Sequence, residues 1–147
     1  MAALNQTSAE TVGWPELTRT VAGAWHALPP GQRAHAVIFT VDYGEAGAIT
    51  ELGLPLGLPA AVSGHNTEWW WGPGDPHATT VLAVAPGPMD VQGYQCYLRR
   101  FFGSVRVAAT LTNPAGLRNQ EYGGHVYVCT HPRRPWGQLW PALRLYS

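Results

Sequence analysis

Apolar residues recur along the chain with two different spacings, and these spacings predict the order of its elements. Between Trp14 and Leu28 they return every three or four residues, which predicts a helix with one apolar face. Pro15 and Glu16 fall in its first turn, where both residue types are favoured, and Pro29 is expected to end it. We expect this helix to pack its apolar face against a sheet.

Shorter apolar runs predict five strands, at 35–40, 60–62, 80–84, 105–111 and 125–130. The first and third runs are apolar on successive residues, which is typical of strands covered on both faces. Further helices are predicted at 45–52, 90–102 and 135–143, and a polar loop at 113–124.

Strands that alternate with helices predict an α/β fold. We expect a three-layer, Rossmann-like sandwich with a mostly parallel sheet of about five strands. Residues 1–12 are small and polar and are predicted to be a linker or tail, and residues 13–147 to form a single α/β domain.

The composition is poor in charge, since 12% of the residues are charged against about 25% in ordinary globular proteins. A surface of this kind is often covered by a membrane headgroup layer or by a partner domain, although a small neutral domain explains it equally well. The formal net charge is zero, and the local basic clusters are Arg99-Arg100 and Arg133-Arg134. Two such pairs make no basic stripe, so no nucleic-acid partner is expected.

No apolar run approaches the ~18 residues of a membrane span, and the N-terminus lacks the pattern of a signal peptide. We therefore expect a soluble polypeptide. Cys129 ends the apolar run 126–128, where a buried free thiol is expected, and a Cys96–Cys129 disulfide is the alternative.

The segment 43–47 follows the first predicted strand and opens a helix, the position of a dinucleotide-binding loop. It lacks the full glycine fingerprint, and Glu45 at the helix N-terminus would repel a pyrophosphate, so no nucleotide cofactor is expected. The histidines and cysteines do not pair at metal-ligand spacings, so no metal is expected either. Ser63 lacks the sequence context of a nucleophile elbow.

Polar and aromatic side chains follow the first two predicted strands. Loops that leave neighbouring parallel strands meet at one rim of the sheet, where ligands bind. The hypothesised ligand-binding residues are Tyr43, Glu45, His65, Asn66 and Trp69, with Asn119 and Glu121 as a third wall. Glu45 would accept hydrogen bonds from sugar hydroxyls while Trp69 stacks on the sugar ring. Alternatively, Glu45 only caps its helix and His65 only orders its turn.

Several short motifs together resemble one protein family. They include GWPEL (13–17), AVIFT (36–40), YGEAGAI (43–49), SGHN (63–66), WGP (71–73), LRRFFG (98–103), VCT (128–130), PW (135–136) and LWP (139–141). In this combination the chain resembles the C-terminal soluble region of actinobacterial membrane glycosyltransferases of the dolichyl-phosphate-mannose-protein mannosyltransferase and aminoarabinose-transferase-like type. The resemblance covers nearly the whole chain.

The resemblance implies a membrane enzyme that moves a sugar from a polyprenyl-phosphate carrier to an acceptor outside the cytoplasm. Its catalytic acid belongs to the membrane part, so no catalytic residue is expected here. The chain is then expected to be an accessory domain at the extracytoplasmic face. Its partners would be the membrane-embedded transferase module and a glycan or polyprenyl-phosphate-linked sugar.

Two alternatives remain open for the function. One is an autonomous small enzyme that uses Glu45 and His65 as an acid/base pair. The other is a purely structural domain that stabilises the membrane module.

Overall fold

A computed structural model describes residues 6–85, 87, 91–111 and 123–144, with the side chains of residues 6–12 and Val91 outside that description. The helices are α1 (Gln6–Ala27), α2 (Pro30–Arg33), α3 (Tyr43–Gly53), α4 (Val91–Arg99) and α5 (Trp136–Leu139). The strands are β1 (Ala36–Thr40), β2 (Val62–Ser63), β3 (Thr80–Ala85), β4 (Phe102–Thr110) and β5 (His125–Pro132). Short 3₁₀ helices cover Leu54–Leu56, Asn66–Trp71 and Trp140–Leu143.

The sheet has five strands in the order β2-β1-β3-β5-β4, so the prediction of an α/β fold with about five strands is confirmed. The expectation of a mostly parallel sheet is not. β1 runs parallel to β2 and β3, but β5 runs antiparallel to both β3 and β4. The sheet is mixed because β4 and β5 are consecutive strands that pair with each other. The end of β4, Thr110, pairs with the start of β5, His125, so the chain reverses direction between them.

Buried side chains lie on both faces of the sheet. On one face, strand residues pack with α1 and α3 in a cluster that includes Leu17, Val21, Ile38, Ile49, Leu82, Val84, Val126 and Val128. On the other, they pack with α4 and the C-terminal segment in a cluster that includes Phe39, Val81, Ala83, Tyr94, Leu98, Tyr127, Trp136 and Trp140. Successive residues of β1 and β3 therefore lie in opposite clusters, which confirms that both strands are covered on both faces.

Two predicted boundaries are corrected. The first helix begins at Gln6 rather than at Trp14, so part of the predicted tail is helical and Pro15 lies inside α1. Pro15 removes one donor N–H without ending the helix. The strand predicted from 105 begins at Phe102, where the helix was expected to end. Phe102 fits a helical spacing and a buried strand equally well, and its pairing with Pro132 decides for the strand.

The predicted 113–124 loop lies almost wholly outside the described residues, since 112–122 are not described. Only its end, Gly123 and Gly124, is described. The backbone N–H of Leu111 donates to the Gly124 carbonyl at 2.7 Å, which closes this end of the β4–β5 pair.

Candidate functional site

The candidate site lies at the rim where β1 and β2 end. The two strands are parallel, and Thr40 pairs with Ser63 at their last residues. The chain therefore leaves both strands on the same side, and the rings of Tyr43 and His65 pack with their centroids 5.1 Å apart. The predicted convergence of these two loops is present in the structure.

Asp42 organises this rim, although it was not among the predicted site residues. Its backbone is extended, and its Oδ1 accepts hydrogen bonds from the N–H groups of Gly44 at 2.7 Å and Glu45 at 3.3 Å. It is thus the N-cap of α3. The sequence contains the signal, because Asp42 directly precedes the segment 43–47 that opens a helix, and Asp is a preferred N-cap residue.

His65 is buried beside this cap. Its Nδ1 accepts a hydrogen bond from the Tyr43 N–H at 3.3 Å, and its backbone N–H donates to Ser63 Oγ at 3.1 Å. A nitrogen that accepts carries no proton, so the neutral ring holds its proton on Nε2. Asp42 Oδ2 lies 3.5 Å from the same Nδ1.

Glu45 lies beneath the rim rather than on it. It is in the first turn of α3 and is 0% exposed. Burial raises the pKa of Tyr94 well above its ordinary value, and the nearby Tyr97, Cys129, Glu45 and Tyr127 raise it further. Glu45 thus faces the interior near α4, and the carboxylate beside His65 is that of Asp42. A ligand at the rim has no exposed surface of Glu45 to contact.

Asn66 and Trp69 begin and anchor the 3₁₀ helix Asn66–Trp71, which the sequence did not predict. Asn66 has φ of 53°, a left-handed conformation that Asn tolerates better than most residues. The Trp69 Nε1–H donates to the Trp140 carbonyl at 3.1 Å, and the Trp140 Nε1–H donates to the Trp69 carbonyl at 3.0 Å. These two hydrogen bonds anchor Trp69 to the C-terminal segment.

The exposed members of the tryptophan run are Trp70 and Trp71, which are 67% and 83% exposed. The Trp70 ring meets Trp69 edge-on at 5.0 Å. The Arg144 guanidinium carbon lies 4.5 Å from the Trp69 ring centroid and 4.6 Å from that of Trp70. From this run of three tryptophans the predicted site included only Trp69. Three consecutive tryptophans on a short helix cannot all face the core, and this was the available signal.

The remaining predicted site residues, Asn119 and Glu121, lie outside the described residues. Both cysteines are free, so the disulfide alternative is wrong. Cys96 is exposed on α4, whereas Cys129 is buried in β5, and the two side chains therefore have different surroundings. Burial raises the pKa of the Cys129 thiol to about 12.

In the part of the chain that the structure describes, no three His, Cys, Asp or Glu side chains are grouped so that they could hold a metal ion. Within residues 6–85, 91–111 and 123–144, no helix is both long and apolar enough to cross a bilayer.

Comparison with protein-family models, with curated proteins and with solved structures gives no match.

Proposed function

We propose that this chain is the extracytoplasmic accessory domain of a polyprenyl-phosphate-sugar-dependent membrane glycosyltransferase. Its role is to bind or position a glycan or lipid-linked sugar rather than to catalyse transfer itself. The family resemblance in the sequence motivates the assignment. The observation that carries it is the pair of exposed indoles, Trp70 and Trp71, on a helix anchored to the core.

Exposed indole faces suit a carbohydrate ligand. The C–H face of a sugar ring is apolar and stacks on an aromatic ring, while its hydroxyls require hydrogen-bonding groups nearby. Trp70 is 67% exposed although it is large and apolar, which is costly unless another surface covers it. Tyr43, 52% exposed at the rim where β1 and β2 end, offers a phenolic hydroxyl as a hydrogen-bonding group.

The Trp70 ring is held in place before any ligand arrives. It packs perpendicular to the Trp69 ring, and the Arg144 guanidinium lies over its face. Trp69 is in turn fixed by its two hydrogen bonds with Trp140. A side chain already ordered loses little entropy on binding, so this arrangement favours affinity for a stacked ligand.

The proposal also covers the fold, the location and the partner of the domain. The fold is a Rossmann-like three-layer sandwich, with α1 and α3 over one face of the sheet and α4 and α5 over the other. The domain lies at the extracytoplasmic face, and its partner is the membrane-embedded transferase module. The burial of side chains on both faces of the sheet supports the layered arrangement.

The autonomous acid/base enzyme draws less support from the geometry. A general acid or base must come within hydrogen-bonding reach of its substrate, and Glu45 is fully buried. The carboxylate beside His65 belongs to Asp42, which already caps α3 with its other oxygen. The Asp42–His65 pair therefore has a structural role at the start of this helix.

Ligand binding can be tested by tryptophan fluorescence. The purified chain is titrated with methyl α-mannoside, with a mannose oligosaccharide and with polyprenyl-phosphate-mannose in detergent. We expect a saturable change in emission for at least one of them. Trp70→Ala/Trp71→Ala should weaken binding roughly 5- to 150-fold, because each aromatic stack contributes about 0.5–1.5 kcal/mol.

Leu54→Ala is the matched control, since Leu54 is 75% exposed and lies outside the tryptophan run. It should bind like the native chain, and circular dichroism should show that both variants are folded. Absence of saturable binding to all three ligands would contradict the glycan-binding role. Equal affinities for the double variant and the control would show that Trp70 and Trp71 do not bind the glycan.

A further inference from the structure

Two arginine pairs that are distant in sequence meet at one end of the domain. α4 ends at Arg99, β4 begins at Phe102, and Phe102 pairs with Pro132 near the end of β5. The Arg133 Nε–H donates to the Arg99 carbonyl at 3.0 Å, and the Arg133 backbone N–H donates to the Phe101 carbonyl at 2.8 Å. The turn after α4 and the turn after β5 therefore form one surface. We call Arg99, Arg100, Arg133 and Arg134 the arginine cluster.

All members of the cluster are exposed. Between described residues, the salt bridges are Arg19–Glu16 and the His65–Asp42 contact, and neither involves the cluster. Arg100 lies over the Phe101 ring at 5.9 Å. Burial raises the pKa of Tyr97, and the nearby Arg100 guanidinium offsets part of that rise. The four positive charges thus face solvent without a carboxylate partner among the described residues.

This end is opposite the Asp42–His65 rim. β5 runs antiparallel to β3, and Thr130 near its end pairs with Thr80 at the start of β3. The cluster therefore lies where β1 and β3 begin, while Asp42 follows the end of β1. Asp75 also precedes β3 and is one acidic residue beside the four arginines; its Oδ1 accepts a hydrogen bond from the His77 N–H at 2.9 Å. A chain with zero formal net charge thus gathers positive charge at one end.

We propose that the arginine cluster docks the domain on the phosphate headgroups of an anionic phospholipid bilayer. Arginine is suited to phosphate because its planar fork donates two parallel hydrogen bonds to two oxygens. All nine basic residues of this chain are arginines. Four guanidinium groups on two adjacent turns can contact several headgroups at once, and each adds to the attraction by an anionic surface.

The surroundings of the cluster favour a bilayer over an acidic protein or a single bound anion. Protein interfaces have an apolar or aromatic centre. The exposed large apolar side chains of the described residues are Tyr43, Leu52, Leu54, Leu56, Trp70, Trp71 and Val107, and none lies on the two turns. A site for one phosphate would also enclose the anion, whereas all four arginines are exposed at an end of the domain. This docking surface is separate from the proposed glycan site and does not depend on it.

Co-sedimentation with vesicles tests the proposal. The native chain should bind vesicles of equal parts phosphatidylglycerol and phosphatidylcholine, and it should not bind vesicles of phosphatidylcholine alone. Added salt should weaken this binding, since it screens exposed charges. Arg100→Gln/Arg134→Gln should lower the partition coefficient about 30-fold, because each basic residue near an anionic membrane contributes about 1 kcal/mol, or roughly fivefold.

The control is Arg19→Gln/Arg106→Gln, which removes the same charge from two exposed residues outside the cluster. It should bind close to the native level. Arg100 and Arg134 are chosen over Arg133, whose side chain holds the two turns together. Near-ultraviolet circular dichroism should show that both double variants keep the native packing.

Equal binding to neutral and anionic vesicles would overturn the proposal, as would no binding to either or an equal loss in both double variants. Calorimetric titration with inorganic pyrophosphate separates a bilayer from a single anion. Pyrophosphate binding that is lost in Arg100→Gln/Arg134→Gln, without vesicle binding, would also overturn it. The vesicle experiments test only the arginine cluster, so a negative glycan titration would not change how their results are interpreted.

Discussion

The indoles of Trp69 and Trp140 each donate a hydrogen bond to the backbone carbonyl of the other residue, at 3.1 Å and 3.0 Å. The two residues are 71 positions apart. A further bond, from Trp136 Nε1 to the Pro73 carbonyl at 2.7 Å, joins the same two segments. The C-terminal segment therefore fixes the position of the Asn66–Trp71 helix and of the exposed indoles that it carries.

Trp140→Phe should destabilise the fold. It keeps an aromatic ring beside Phe39 but removes the donor N–H, which leaves the Trp69 carbonyl without this partner. The expected loss is about 2 kcal/mol in the free energy of unfolding, measured with urea. Trp71→Phe is the control, because Trp71 is 83% exposed and should change stability by about 0.5 kcal/mol at most. Similar losses in both variants would show that the reciprocal bonds contribute little.

Gly64→Ala should displace the C-terminal segment, because an added Cβ would collide with the Leu143 carbonyl oxygen. We expect a loss of about 2–3 kcal/mol in urea unfolding, the range of steric overpacking. Gly47→Ala is the control. Gly47 lies inside α3 with nothing within 4 Å of its Cβ position, so alanine there should stabilise by about 0.5–1 kcal/mol. An unchanged stability in Gly64→Ala would mean that the segment moves away at no cost.

Stability should decrease at alkaline pH because of Cys129. Burial raises its pKa from 9.0 to about 12, so between these values the unfolded chain loses a proton that the folded chain keeps. The free energy of unfolding should fall by about 1.4 kcal/mol per pH unit in this window and be unaffected by this thiol below it. Urea unfolding of the native chain, Cys129→Ala and Cys96→Ala at several pH values measures the effect.

Cys129→Ala should flatten the decrease, and Cys96→Ala, which alters an exposed thiol, should not. The burial of Tyr94 adds a similar loss above pH 10, so some decrease remains in both variants. Identical slopes in the native chain and Cys129→Ala would contradict the raised pKa of the thiol.

The sequence by itself determined much of the fold, because hydrophobic spacing is a local property. Successive apolar residues marked β1 and β3 as covered on both faces, and the structure confirms this. The convergence of the Tyr43 and His65 loops was also predicted, since parallel strands place their following loops at one rim. The position of Asp42 before a helix was a local signal that could have identified the cap.

Only the tertiary structure decided which side chains this rim exposes. Glu45 was predicted to face a ligand, but the rotation of α3 against the sheet buries it completely. Trp69 was named from a run of three tryptophans, and its packing against Trp140 leaves Trp70 and Trp71 to face solvent. Burial depends on what lies opposite a residue, and no spacing along one segment contains that information.

The arginines show the same limit at the other end of the domain. As sequence, Arg99-Arg100 and Arg133-Arg134 are two separate pairs that predict no phosphate-binding surface. Their meeting depends on the pairing of Phe102 with Pro132 and on the antiparallel direction of β5. The sequence alone gives the residue types and the hydrophobic periodicity. The electrostatic potential depends on distances between charges in space, and only the register of the strands brings these four arginines together.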